Sequence, residues 1–190
     1  MKRLLMVIFC LLIAANALFA QTKDFRSINW GMNRDQIKAI EKEKILTETE
    51  KYVAYETKVS GFPVWLVYNF IDDKCVNSRY MIKVEHANDT LFVDDYKKLK
   101  GLLIKVYGAP IEDEIIWKDD LYKDDETEYG MAISIGDLFY YSTWENDKTF
   151  ISLELGGDNY KVDHFIIFYD SKEFSSLLKE KEAEEETSGL

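Results

Sequence analysis

The chain is poor in the residues that most often carry chemistry. It has two cysteines and two histidines in 190 residues. Cys10 falls in an apolar leader, so the remainder keeps only Cys75 and cannot close an internal disulfide. A thiol catalyst wants a basic, partly exposed setting beside a histidine. Nothing in the spacing of Cys75, His86 and His164 brings them together, and Cys75 reads as a small buried hydrophobe. The histidines fit no metal-ligand spacing such as H-E-x-x-H. A G-x-S-x-G elbow, a Walker loop and a dinucleotide fingerprint are all missing. Basic residues are outnumbered, 24 to 35, for a formal charge of −11, which makes nucleic acid and anionic membrane poor partners. No apolar run beyond residue 20 is long enough to span a bilayer.

What is present begins with a leader. Lys2 and Arg3 form a basic start, Leu4 to Ala15 is apolar, and Ala20 offers a small residue before Gln21. Residues 1–20 therefore read as a secretory signal peptide, with cleavage near Ala20 and a secreted or periplasmic product. Ile8-Phe9 before Cys10 is not a lipobox, so no lipid anchor is expected. The remaining chain carries 22 basic and 35 acidic side chains and suits a single domain, residues 21–181, followed by an acidic disordered tail, 182–190.

The stretch from Ser27 to Glu41 reads as an extended lead-in, a glycine corner at Gly31 and an amphipathic helix from about Asn33 to Lys44. Asn33 is a good N-cap, Gln36 completes a capping box, and Asp35 suits the first turn. Ile37 and Ile40 mark the apolar stripe, and Trp30 reads as a core anchor. Tyr52–Lys58, Val64–Phe70 and Cys75–Glu85 follow as a three-strand antiparallel meander with turns at Ser60-Gly61 and Asp72-Asp73-Lys74. Leu91 to Val106 recurs at helical spacing, closed by Gly108 and Pro110. Strands are then expected at Glu112–Trp117, Met131–Ile135, Leu138–Trp144, Thr149–Leu155 and Tyr160–Tyr169. Gly136-Asp137 fits either a hairpin turn or a bulge in one long strand. Gly156 to Asn159 reads as a turn, and Ser171 as the cap of a last helix, 172–181. The fold expected is α+β: two helix-plus-antiparallel-meander halves, about 27–86 and 90–170, forming a mostly antiparallel sheet with helices packed on it.

Trp30-Gly31-Met32-Asn33-Arg34-Asp35-Gln36-Ile37 resembles the G-M-[ST]-x-x-x-V helix start of the outer-membrane assembly lipoproteins of the BamE/SmpA type, and Tyr107-Gly108-Ala109-Pro110 resembles the G-x-P that closes a helix there. The tandem order is similar to the beta-lactamase inhibitory protein fold. Residues 117–125 and 132–136 resemble a family of exported bacterial proteins of unknown function. These likenesses imply a fold and an exported setting, and no activity.

Two candidate sites remain. Asp119, Asp120, Asp124 and Asp125, with Glu126 and Glu128, crowd an acidic loop, 118–128, whose oxygens suit a hard cation, calcium first, though without EF-hand spacing. Tyr122, Tyr129, Phe139, Tyr140, Tyr141 and Trp144 concentrate aromatics in the second half. Tyr140 and Trp144 share one strand face, Phe139 and Tyr141 the other, and one of the two faces is free to bind. Tyr140 and Trp144, with Tyr122 and Tyr129, are the binding residues this reading names. The function expected is a secreted, non-catalytic binding module for a protein or cell-envelope component. The alternative is an exported hydrolase with a carboxylate or metal site near the acidic loop, and a third reading is a calcium-stabilised envelope protein.

Overall fold

The computed structural model describes residues 23–188, so the leader lies outside the described residues. The elements are α1 (Arg34–Ile40), β1 (Lys44–Glu48), β2 (Tyr52–Val59), β3 (Phe62–Ile71), β4 (Lys74–Ile82), α2 (Leu91–Tyr107), β5 (Glu112–Trp117), α3 (Tyr129–Ser134), β6 (Leu138–Glu145), β7 (Thr149–Asp158), β8 (Lys161–Ser171) and α4 (Ser175–Ser188). All eight strands form one open antiparallel sheet in the order β1-β2-β3-β4-β8-β7-β6-β5. Each half is a helix followed by a four-strand meander, and the halves meet where β4 pairs with β8. The α+β class and the helix-on-sheet arrangement are as the sequence predicts. Among the described residues no helix is long and apolar enough to cross a membrane.

Local chemistry explains most of the elements. The Asn33 side chain accepts from Gln36 N–H and the Gln36 side chain accepts from Asn33 N–H, a complete capping box. Helix α1 stops at Ile40, earlier than the spacing predicts, because Glu41 is already extended and its carboxylate is drawn inward. Glu41 is buried, pairs with Arg26 at 3.2 Å and accepts from the Tyr68 hydroxyl, while Arg26 also donates to Tyr80. This network clamps the lead-in onto the sheet. Phe25 lies against Trp30, Tyr68, Tyr80 and Tyr169, and Trp30 donates its indole N–H to the Thr149 hydroxyl at 3.0 Å. The two-residue loops Ser60-Gly61, Asp72-Asp73 and Asn159-Tyr160 all have positive φ at both positions, the twist-matched geometry of tight hairpins.

Six expectations need correction. Lys44–Glu48 is a strand, missed because all five residues are exposed at the sheet edge and show no alternation. Met131–Ile135 lies mainly in helix α3, since a short apolar run fits a buried strand or a buried helix equally well. Gly136-Asp137 is that helix's stop: Asp137 N–H reaches Ala132 O, Gly136 N–H reaches Ile133 O, and Gly136 has φ +83°. Gly156 to Asp158 stays within β7, and Ser171 is the buried end of β8 rather than a helix cap. Helix α4 itself runs to Ser188, through most of the stretch expected as a tail.

Helix α3 sits against the start of α2 so tightly that a Cβ on Gly130 would stand 2.3 Å from the Thr90 backbone nitrogen. A Cβ on Gly101, within α2, would meet nothing within 4 Å. Gly130→Ala is therefore expected to cost at least about 2 kcal/mol by overpacking, and Gly101→Ala to add up to about 1 kcal/mol. Urea unfolding of both variants checks this; equal stability would show that α3 does not hold its place against α2.

Candidate functional site: the open face of the sheet

Strand parity divides the sheet into two faces. On one, Val64, Leu66, Tyr68, Tyr80, Ile167, Leu153 and Tyr140 pack into the core, beneath the lead-in and helices α2 and α3. The other carries the alternate residues. One row runs Glu56, Trp65, Met81, Ile166, Glu154, Tyr141 and Glu114 in directly paired positions across β2 to β5. The next runs Thr47, Ala54, Val67, Arg79, Phe168, Ser152, Thr143 and Glu112 across all eight strands. An antiparallel sheet tolerates one uncovered face, though such a face is usually polar. This one is aromatic.

The binding residues named from sequence lie on the wrong side of it. Tyr140 and Trp144 are 4% and 2% exposed, opposite Leu155 and Ile151 in the core, with the Trp144 indole N–H donating to Gly108 O. Burial pushes the Tyr140 phenol up to about 12. Tyr122 and Tyr129 are half-buried against the core, Tyr129 with its ring on Trp117 and its hydroxyl donating to Lys123 O. The open face instead carries Phe139 and Tyr141, the opposite parity of β6, stacked at 6.4 Å. His164 lies 5.7 Å from Phe139 and 6.3 Å from Phe168. Phe150 is 46% exposed. Tyr141, Phe150 and Phe168, together with Leu178 and Lys179 of α4, line a groove of about 830 Å³. The Tyr141 phenol is raised, first by burial and then by the carboxylates of Glu154, Glu112, Glu114 and Asp170; Glu112, Glu154 and Asp170 line the same groove and give the aromatic floor an acidic rim.

Two arrangements bear on catalysis. Ser152 donates to Glu154 at 2.7 Å, and Glu154 meets His164 Nε2 at 2.7 Å. The carboxylate stands in the middle, so the imidazole reaches the acid and not the hydroxyl, the reverse of what an activated serine needs. In the acidic loop, Asp119 accepts from Leu121 N–H, Asp120 pairs with Lys123, and Asp125 accepts from Thr127. These three serve local turns, and all six carboxylates, Asp124, Glu126 and Glu128 included, are exposed. Among the described residues no group of three or more His, Cys, Asp or Glu is placed to hold a metal ion. Cys75 is fully buried and burial pushes its thiol up, so it is poorly suited to act as a thiolate.

Comparison of the chain with protein-family models, with curated proteins and with solved structures found no match.

The core face holds its tyrosines as neutral phenols. Burial pushes Tyr55 and Tyr140 up to about 12, and burial likewise raises Tyr68, Tyr96 and Tyr169. An unfolded tyrosine gives up its proton near pH 10, at about its usual value. A raised folded value means the stabilisation is complete below that pH and is lost as pH climbs toward the folded value. Urea melts are therefore expected to be steady up to about pH 9 and to weaken markedly by about pH 11, with tyrosinate absorbance appearing together with unfolding. A flat profile to about pH 11 would contradict burial of these rings.

Proposed function

We propose that this chain is an exported, non-catalytic binding module that takes a protein partner on the open face of its sheet. The observation that supports it is the continuous half-exposed aromatic surface of Phe139, Tyr141, Phe150 and Phe168 on a face that no helix covers fully. Aromatics on a rigid sheet make good anchors, since they bring large area with little rotamer entropy to lose. The leader of residues 1–20 and the likeness to exported proteins support the setting. Glu112 and Glu114, exposed on the edge strand beside Tyr141 and Thr143, favour a basic surface on the partner and a salt-dependent association rate.

The test is capture from the envelope and culture fluid of the source organism by wild type and by a Tyr141→Ala/Phe168→Ala double variant. Both side chains stand half-exposed on the open face, so the variant is expected to melt within a few degrees of wild type. The partner held by wild type is expected to lose at least tenfold in affinity, about 1.4 kcal/mol or more. Equal capture by both proteins would remove this face as the binding surface.

A further inference from the structure

The first half of the open face contains a charge that the fold leaves unpaired. The chain's described arginines are Arg26, Arg34 and Arg79. Arg26 pairs with Glu41, and Arg34 with Glu48 and Asp73. Arg79, on central strand β4, makes no ion pair or hydrogen bond among the described residues, and its Nε is buried without an acceptor. Its cross-strand neighbours are Val67 on one side and Phe168 on the other. A guanidinium Nε buried without an acceptor beside apolar neighbours is costly. The cost is notable in a chain with 35 carboxylate residues from which a partner could be drawn.

Beside Arg79 the face dips. Ala54 and Val67 are small, and they are ringed by Leu46, Tyr52, Trp65 and Met81. The resulting depression is about 330 Å³, at the lower end of small-ligand sites, and among the described residues Arg79 is its one charged lining residue. Lys83 is not a lining residue; its Nζ lies over the Trp65 ring, 3.7 Å from the centroid.

We propose that this depression binds a small amphipathic carboxylate of the fatty-acid type. The carboxylate accepts from the Arg79 guanidinium, whose planar fork matches its two oxygens. The alkyl chain lies over Ala54 and Val67 between Trp65 and Leu46, where the lining is apolar. Inorganic phosphate fits poorly, because one donor fork among apolar walls leaves most of its oxygens without partners. An ammonium ligand would face Arg79 with like charge. The site is separate from the β6–β8 aromatic floor and stands or falls without the protein-binding reading.

The experiment titrates the purified protein with octanoate, reading tryptophan fluorescence and heat, beside octylamine, octanol and inorganic phosphate. Octanoate is expected to bind saturably with a change in tryptophan emission, and at least tenfold more tightly than the other three. Arg79→Met removes the charge and keeps an apolar stem; it is expected to weaken octanoate at least tenfold while the thermal melt stays equal or rises. Ala54→Leu fills the floor with Arg79 intact and is expected to lower octanoate affinity as well. Absence of saturable octanoate binding, equal binding of octylamine or phosphate, or an Arg79→Met variant that binds octanoate as wild type does would each overturn the proposal. A Tyr141→Ala/Phe150→Ala variant that loses its protein partner but keeps octanoate separates the two sites, since neither ring lines the Arg79 depression.

Discussion

The pairing of β4 with β8 is the constraint on which the rest of the molecule depends. Five directly opposed pairs, from Asn77↔Asp170 to Met81↔Ile166, join two meanders into one eight-stranded sheet. Without them each half has an additional open edge, and the first half has only the 7 residues of α1 as helical cover. The seam is sealed on the core face by rings: Tyr80 meets Tyr169 edge-on at 5.9 Å, and Phe25 lies against both. The Arg26–Glu41 pair fixes the segment that brings Phe25 there. A buried ion pair contributes little net stability, since desolvation offsets most of the attraction. Its hydrogen bonds to Tyr68 and Tyr80 give it another use, which is to hold the lead-in in one register over the seam.

Joining the halves at their last strands also decides where function can lie. The chain enters each meander from its helix, and α2, α3 and the lead-in gather on one face. The opposite face is left largely uncovered, with the start of α4 lying beside its β6–β8 part. Long side chains shield part of it: Lys83 lies over Trp65 at 3.7 Å and Lys172 over Phe150 at 4.7 Å. Ammonium stems and rings together keep such a surface soluble while leaving it able to exchange those cations for a ligand.

The sequence showed element type and order better than it showed which side of each strand faces inward. Capping chemistry at Asn33 and Gln36, the period of α2, the Gly108 stop and the turns at Ser60-Gly61 and Asp72-Asp73 were all legible, because each is local. The exposed edge strand β1 had no burial signal to read. In Met131–Ile135 an apolar run of five could not separate helix from strand. The largest loss came in β6, where Leu138, Tyr140 and Trp144 alternate with Phe139, Tyr141 and Thr143 and both sets are apolar enough to be core. The neighbouring strand resolves it: Ile151, Leu153 and Leu155 are plainly the inner set of β7, with Ser152 and Glu154 outside. That information reaches β6 only through the register Trp144↔Ile151, which is a property of the folded sheet. Arg79 was passed over for the same reason. In sequence it is one cation in an alternating strand, and only the pairing with Val67 and Phe168 shows that no carboxylate stands opposite it.

The charges of the open face follow the division between the halves. Glu154 is already held by Ser152 and His164, and Glu112, Glu114 and Asp170 surround Tyr141, all within β5 to β8. Arg79 lies across the seam, with Phe168 standing between its row and Ser152. The two charge types could have neutralised one another had an acidic residue occupied position 168, one strand away from the guanidinium. A phenyl ring there keeps them apart, and it serves both sides at once: it forms floor for the acidic aromatic groove and an apolar neighbour for the unpaired cation. Such a sheet presents two surfaces of opposite electrostatic preference on one rigid platform, one suited to a cationic partner and one to an anion with an apolar body.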